Sequence, residues 1–306
     1  RFLAKGWWPS AVSGPLGAAA AVAKLKSCSE EMISTALSIA AIMSGGLITG
    51  GPEGPSGRHF LYGRSSQSGA QSVLAAEAGL IGPLQAIEDP RGMFGARSVD
   101  FVEEKVITNL GKDYLFPSTY FKAYACALQL QASVCALLEI IMEHGLTVED
   151  IKSVCVSLPR KALITVNPQG YPANHTAAAA NGRYVLAMAL LDKQVMSEQY
   201  EEDRMCSVEV RSVMDLITID EDPELNELDN LWPAVAKVET RKGVVYCRKV
   251  IYWAGETDMA KEAFVKDKFR HIVGPYLLKS QVEELFTAVD QLEEIRDVDA
   301  LLGVLR

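Results

Sequence analysis

Two arginines and a histidine crowd into one short stretch, Gly57-Arg58-His59-Phe60-Leu61-Tyr62-Gly63-Arg64-Ser65-Ser66-Gln67-Ser68-Gly69. Such a group can hold an anion. Guanidinium forks bind carboxylate bidentately, and a helix N-terminus beside them adds the attraction of its dipole. The spacing predicts a glycine-broken loop over 57–64 that runs into a small-residue helix over 65–79. A surface loop with solvated arginines would have the same sequence, so the stretch by itself leaves both readings open.

The chain that must position these residues has 306 of them, enough for one large domain or two ordinary ones. Apolar residues make up 49% and charged residues 23%, the balance of a globular protein. The net charge of −9 comes without any basic tract, which argues against nucleic acid or an anionic membrane as partner. Any anionic ligand must therefore be captured by a local pocket against the global field. Six cysteines (Cys28, Cys126, Cys135, Cys155, Cys206, Cys247) form no CxxC pair and no ligand spacing with the four histidines. They read as buried thiols of a reducing, cytoplasmic compartment, and no metal or other cofactor is expected. Glycine or charge interrupts every apolar run before it reaches the length of a membrane span, and no signal peptide is visible. The chain opens at Arg1, in mid-pattern, and reads as a piece of something longer.

Taken in order, residues 1–16 read as a loop anchored by Trp7, and 17–26 as an alanine-rich helix that a neighbour must approach closely. Ser27-Cys28-Ser29-Glu30 has capping-box form and starts a nearly apolar, centrally buried helix through 43. Glycine and proline forbid regular structure over 45–57. Short helices are expected at 84–88 and 99–110, with a turn at 93–95. A domain boundary is expected around 114–121, where aromatic residues meet a Pro-Ser-Thr break. Beyond it come a long helix over 125–144, a strand over 151–158 stopped by Pro159, and helices over 174–192 and 208–216. The clearest hairpin pairs 234–240 with 244–251 around Arg241-Lys242-Gly243. Helices at 259–272, 280–292 and 298–305 close the chain. Helices, then a mixed segment, then helices again read as α+β. The expected plan is a large all-helical domain built from both chain ends, 1–117 and 254–306, with a smaller α+β lid domain, 118–253, inserted between them.

Several stretches together resemble the MmgE/PrpD family of 2-methylcitrate dehydratases, cis-aconitate decarboxylases and iminodisuccinate epimerases. These are Gly6-Trp7-Trp8-Pro9-Ser10, Gly17-Ala18-Ala19-Ala20-Ala21, Leu61 to Gly69, Phe121-Lys122-Ala123-Tyr124-Ala125-Cys126, Tyr184 to Asp192, and the helices ending Gln291-Leu292-Glu293-Glu294-Ile295. The resemblance spans essentially the whole chain. It implies a homodimer, and a cofactor-free lyase or isomerase reaction on a small carboxylate substrate, in a cleft between helical domain and lid. A base takes a proton beside a carboxylate, or the carboxylate leaves as carbon dioxide. Either way an enolate-like charge develops that cationic donors must stabilise.

Carried over residue by residue, Lys122 matches a lysine that holds substrate carboxylate, and Tyr184 a tyrosine facing the cleft. A solvated lysine and a core tyrosine with a satisfied hydroxyl would look the same in sequence. Arg58 stands where the family often has lysine, and Arg64 matches a common arginine. The departures are at the acid/base positions. Trp8, Leu61 and Ala127 stand where the family has histidines, leaving His59 as the only imidazole near the loop, and tryptophan cannot take a proton from carbon. The family's N-terminal segment, with an aspartate used in the cleft, has no counterpart here, so the expectation is a fragment or a second chain that supplies it.

Two readings follow. One is a diverged enzyme with Lys122, Tyr184 and His59 as proton carriers. Arg58, Arg64, Trp8 and Leu61 would contact a larger and more apolar carboxylate substrate, for dehydration, decarboxylation, epimerisation or cyclisation. The other is a non-catalytic or complementing subunit that binds a ligand or a partner chain.

Overall fold

Small side chains decide how the first three helices meet. In the computed structural model, which describes residues 2, 5–48, 57–97, 99, 102–228, 232–252 and 258–303, helix α1 (Pro9–Leu25) lies against α3 (Gly57–Glu77), with α2 (Glu30–Ile42) on both. Gly69 marks the closest approach: a Cβ added there would fall 2.5 Å from the Pro15 carbonyl oxygen and 2.5 Å from Ala18 Cβ. One helical turn away a Cβ added to Gly14 would meet Ser65 at 2.9 Å. Ala19, Ala23, Ala36, Ala40 and Val73 fill the three-helix seam. At Gly69 the backbones can come this near because no side chain of its own stands between it and Pro15, Ala18 and Ala19.

Several expectations over this region are corrected. Helix α1 begins at Pro9 instead of 17, because a proline at the first helical position suits its fixed φ and loses no hydrogen bond. Helix α3 begins at Gly57 instead of Ser65, so the arginine-bearing stretch is helical; Gly63 sits on an exposed side, where a glycine weakens a helix without breaking it. Helix α2 is capped by Ser29, whose hydroxyl accepts from Met32 N–H at 3.3 Å, two residues later than the Ser27 that the expected capping box puts there, and its end is exposed at Ile42 instead of centrally buried. Residues 84–88 form turns, not a helix, and 99–110 keep only the short α4 (Glu103–Ile107). Of the glycine-rich stretch, 49–56 lies outside the described residues.

The chain divides by its contacts into two units, 1–117 with 170–180 and 118–169 with 181–306. The second holds α5 (Gln131–His144), β1 (Ile151–Leu158) and α6 (Arg160–Val166); the chain visits the first unit for α7 (His175–Ala180) and returns with α8 (Gly182–Asp192). Then follow α9 (Glu202–Met205), α10 (Val208–Met214), β2 (Ile217–Glu221), β3 (Ala234–Thr240) and β4 (Val245–Val250). Helices α11 (Asp258–Val273), α12 (Lys279–Asp290) and α13 (Val298–Gly303) end it.

The sheet order is β2-β1-β3-β4, with β1 and β2 parallel and the other pairs antiparallel. The hairpin of β3 and β4 falls where alternation put it, closed by Gly243 at φ +82°, a left-handed position that favours glycine. Helices α5 and α8 pack on the sheet, and α8 is buried almost throughout. The chain is therefore mixed α+β. Strand β2 went unpredicted, although Ile217 and Ile219 alternate with exposed neighbours. Helix α5 starts at Gln131, six residues later than expected, and a break at Asn181, whose side chain caps α8, splits the helix expected over 174–192. All six cysteines are free thiols; only Cys126 is fully buried, and Cys206 and Cys247 are exposed, which corrects the expectation for the set. Among the described residues no helix is long and apolar enough to cross a membrane.

Candidate functional site

In the first unit, Trp8 stands immediately before α1 and is tied down by its backbone. Its N–H donates to the Gly46 carbonyl at 2.9 Å, and its ring meets Tyr62 edge-on, with centroids 6.4 Å apart. Leu61 approaches the same point: a Cβ added to Gly46 would lie 3.3 Å from a Leu61 methyl. Trp8, Leu61 and Tyr62 thus gather around Gly46. His59 points elsewhere, because two positions along a helix turn a side chain by about 200°. Its Nε2 lies 3.3 Å from Thr176 Oγ1 on α7. Arg64 is exposed, and among the described residues no carboxylate pairs with it. Arg58 belongs to the first turn of α3, and its side chain lies outside the described residues.

A groove of about 880 Å³ opens nearby, lined by Trp7, Ile42, Leu84, Met93, Arg91 and Arg97 among others. Among the described side chains, none of Trp8, Leu61 or Arg64 lines it. Arg97 is fixed as a brace. It donates to the Met93 carbonyl (2.6 Å), to the Ser44 carbonyl (2.6 Å) and to the Ser44 hydroxyl (3.0 Å), and lies 4.9 Å over the Trp7 ring. Burial pulls its pKa below the ordinary arginine value.

In the second unit the stretch 121–127 is held open by one side chain. The buried Gln131 amide accepts from Tyr124 N–H and donates to the Tyr124 carbonyl, both at 3.0 Å, and reaches Cys126 Sγ at 3.3 Å. These bonds compete with a helical turn, so 124–127 bends and Lys122 emerges exposed ahead of it. The Lys122 carbonyl accepts from Lys268 Nζ of α11 at 2.5 Å. Burial, and then the Lys122 charge, hold the Lys268 ammonium below the usual lysine pKa. Burial pushes the Cys126 thiol up to about 12 against the pull of these two lysines. Cys135 rises to about 12 by burial, helped by its bond to Glu139.

Tyr184 is fully buried on α8. Its hydroxyl donates to the Gln199 carbonyl, its ring lies 5.9 Å from Tyr200, and burial pushes its pKa up to about 12. That is the arrangement of a core tyrosine with a satisfied hydroxyl; taking part in proton transfer would require this bond to open. Among the described residues no three of His, Cys, Asp and Glu gather as a metal site. Sequence reasoning missed Lys268 and Arg97. Lys268 is one of three lysines in the Lys266-Asp267-Lys268 neighbourhood and its predecessor Lys261, and only the tertiary contact to 122 distinguishes it.

Comparison with known proteins supplies the remaining context. Residues 1–101 match the MmgE/PrpD N-terminal domain and 124–294 the MmgE/PrpD C-terminal domain. Cis-aconitate decarboxylase-like protein oryM of Aspergillus oryzae is 24% identical over 99% of this chain and 66% of its own length. Cis-aconitate decarboxylase of Aspergillus terreus is 23% identical over 99% of this chain and 65% of its own. The human cis-aconitate decarboxylase is 22% identical over 99% and 63% respectively. The chain thus spans somewhat less than two thirds of the length of the curated relatives it matches. With both domains matched in order over most of its residues, the chain belongs to the MmgE/PrpD family.

Proposed function

We propose that this chain is a lyase of the dehydratase or decarboxylase type that acts on a small polycarboxylic acid. The observation that carries the proposal is the two-domain family match, shared with relatives named cis-aconitate decarboxylases. Loss of carbon dioxide, or of a proton beside a carboxylate, leaves an electron pair that spreads onto a neighbouring carboxylate as an enolate. A cation must sit where that charge grows, and a proton must be delivered to carbon. Lys122 is exposed and free of any carboxylate among the described residues, which suits it to hold the substrate and stabilise the enolate. Arg58 and Arg64 serve as further carboxylate holders, His59 as a proton carrier, and Trp8 and Leu61 as the apolar wall that selects a larger substrate. Tyr184 contributes only if its bond to Gln199 opens.

The test is incubation of the purified chain with cis-aconitate, citrate and 2-methylcitrate, with products and carbon dioxide read by mass spectrometry. Turnover is expected on at least one of them. Lys122→Ala should cut it by about 100-fold or more, since one charged donor at a developing oxyanion is worth roughly 10²–10³. Turnover unaffected by that substitution would remove Lys122 from the mechanism.

A second reading, a non-catalytic or complementing subunit, is favoured by one feature. Trp8 and Leu61 are packed around Gly46 at positions where the family has proton carriers. Absence of product from all three acids, with ligand binding retained, would favour it. Under either reading we propose assembly through the first unit, as a homodimer or with a companion chain, because Leu25, Ile81 and Leu84 there are each more than four-fifths exposed. Light scattering on the purified chain checks this.

A further inference from the structure

Lysine ammoniums repel one another, so a lysine whose ammonium is anchored on the backbone of another lysine calls for explanation. Lys268 is anchored in this way on Lys122. Lys268 reaches across from α11 to donate to the Lys122 carbonyl at 2.5 Å, and each lysine's charge is felt at Cys126. Among the described residues neither has a carboxylate within ion-pair distance. The neighbouring Lys266 on the same helix is neutralised instead, pairing with Glu262 at 2.8 Å and with Asp290 at 3.5 Å.

The placement of Lys268 is built, not accidental. Phe269 packs edge-on against Phe286 of α12, with centroids 5.3 Å apart, and Arg270 reaches Glu283 of α12 at 3.4 Å. His271 lies 3.2 Å from Glu198 and 3.4 Å from Gln194. These contacts, in the turn that follows Lys268, fix the rotation of α11 and hold the ammonium, half-buried, at the Lys122 segment. On the other side, Gln131 fixes the bend that carries Lys122. The Lys268 ammonium is thus fixed on the backbone of Lys122, and among the described residues neither lysine has an ion-paired carboxylate. A half-buried ammonium with one neutral acceptor leaves two donors for an outside oxygen.

We propose that Lys268 and Lys122 form one anion site that binds a carboxylate group of the substrate, with Lys268 as the second carboxylate-holding residue. The site rests on the lyase reading for the identity of its ligand as a substrate, though not for its charge. Lys268 also sets the position of Lys122 through the carbonyl bond.

The experiment is calorimetric titration of the purified chain with tricarballylate, a saturated tricarboxylate that cannot be decarboxylated or dehydrated by the proposed route. Lys268→Gln can keep a donor to the Lys122 carbonyl while deleting the charge, and should weaken binding roughly 10- to 30-fold, the range of one charge-assisted hydrogen bond. Lys268→Arg should bind within about threefold of the parent, and Lys266→Met, a control on the same helix, should be unchanged. Binding that survives Lys268→Gln at full strength, or tricarballylate that does not bind the parent at all, would overturn the proposal. The two readings separate cleanly. Loss of binding in Lys268→Gln without turnover of any acid by the parent keeps the anion site and removes the lyase. Turnover with unchanged Lys268→Gln binding does the reverse.

Discussion

Tyr184 shows how much one buried hydroxyl constrains its surroundings. It packs from α8 into the core and its hydroxyl donates a hydrogen bond to the Gln199 carbonyl, while the Gln199 side chain in turn accepts from Met196 N–H at 2.8 Å and donates to Asp192 at 3.2 Å. Removing the hydroxyl leaves a buried carbonyl without its donor, which costs about 1–3 kcal/mol. Tyr184→Phe should therefore lower the melting temperature by several degrees, at about 2–4 °C per kcal/mol for a chain of this size. If the tyrosine only supports the core, turnover per folded molecule stays within about threefold; a loss of 10²-fold or more, the size expected of a lost general acid, would place it in the chemistry. Sequence alone could offer both roles for this residue and no way to choose, because the partner lies fifteen residues away in a short 3-10 turn (Ser197–Tyr200). The same limit hid Gln131, whose polar side chain looks like one more helix residue until its two bonds to Tyr124 are seen.

At the scale of elements, what was legible followed local rules and what was not depended on contact. The start of α2 to within a few residues, strand β1 ending at Pro159, the hairpin around Gly243 and the three closing helices all came from patterns confined to neighbouring residues. The start of α3 did not. Gly57 and Gly63 look like breakers, yet the helix runs through them because α1 lies along it and buries Ser65, Ser68, Gly69 and Ser72. The low polarity contrast of these small residues gives α3 no strong apolar stripe to read. The candidate site suffered accordingly: a helix, instead of a loop, sends His59 and Leu61 in different directions, toward Thr176 and toward Gly46. The crossing at Gly69 is the most sensitive point. A single methyl there meets backbone atoms of α1 that cannot swing aside, so Gly69→Ala should destabilise by about 1–3 kcal/mol, the usual cost of overpacking, and Gly69→Val by more. Gly63→Ala, with nothing within 4 Å of the added carbon, should stabilise slightly, by roughly 0.5–1 kcal/mol. Chemical denaturation of the two variants checks the pair. Equal effects would mean that the α1–α3 contact is looser than described.

Across the whole molecule, the charge balance and the buried titratable groups drive the response to pH in the same direction. Tyr124, Cys126, Cys135, Tyr184 and Tyr200 lie close together in the second unit, and burial raises the pKa of every one. Each is neutral when protonated, so folding favours its protonated form. Their contribution is fully present below the unfolded values, 9.0 for the thiols and 10.0 for the phenols, and is lost as pH rises toward the folded ones. For Cys126, Cys135 and Tyr184 the folded values are about 12. The net charge of −9 adds in the same direction, because every further ionisation increases the self-repulsion of an already acidic chain. The melting temperature should therefore be flat near neutrality and fall continuously between about pH 9 and pH 12. Cys126→Ala, which deletes one of the raised groups at modest packing cost, should make that fall shallower, while Cys135 keeps its start in place. A melting temperature that stays level through pH 11, or a Cys126→Ala profile parallel to the parent's, would show that the phenol and thiol cluster is reached by water in solution.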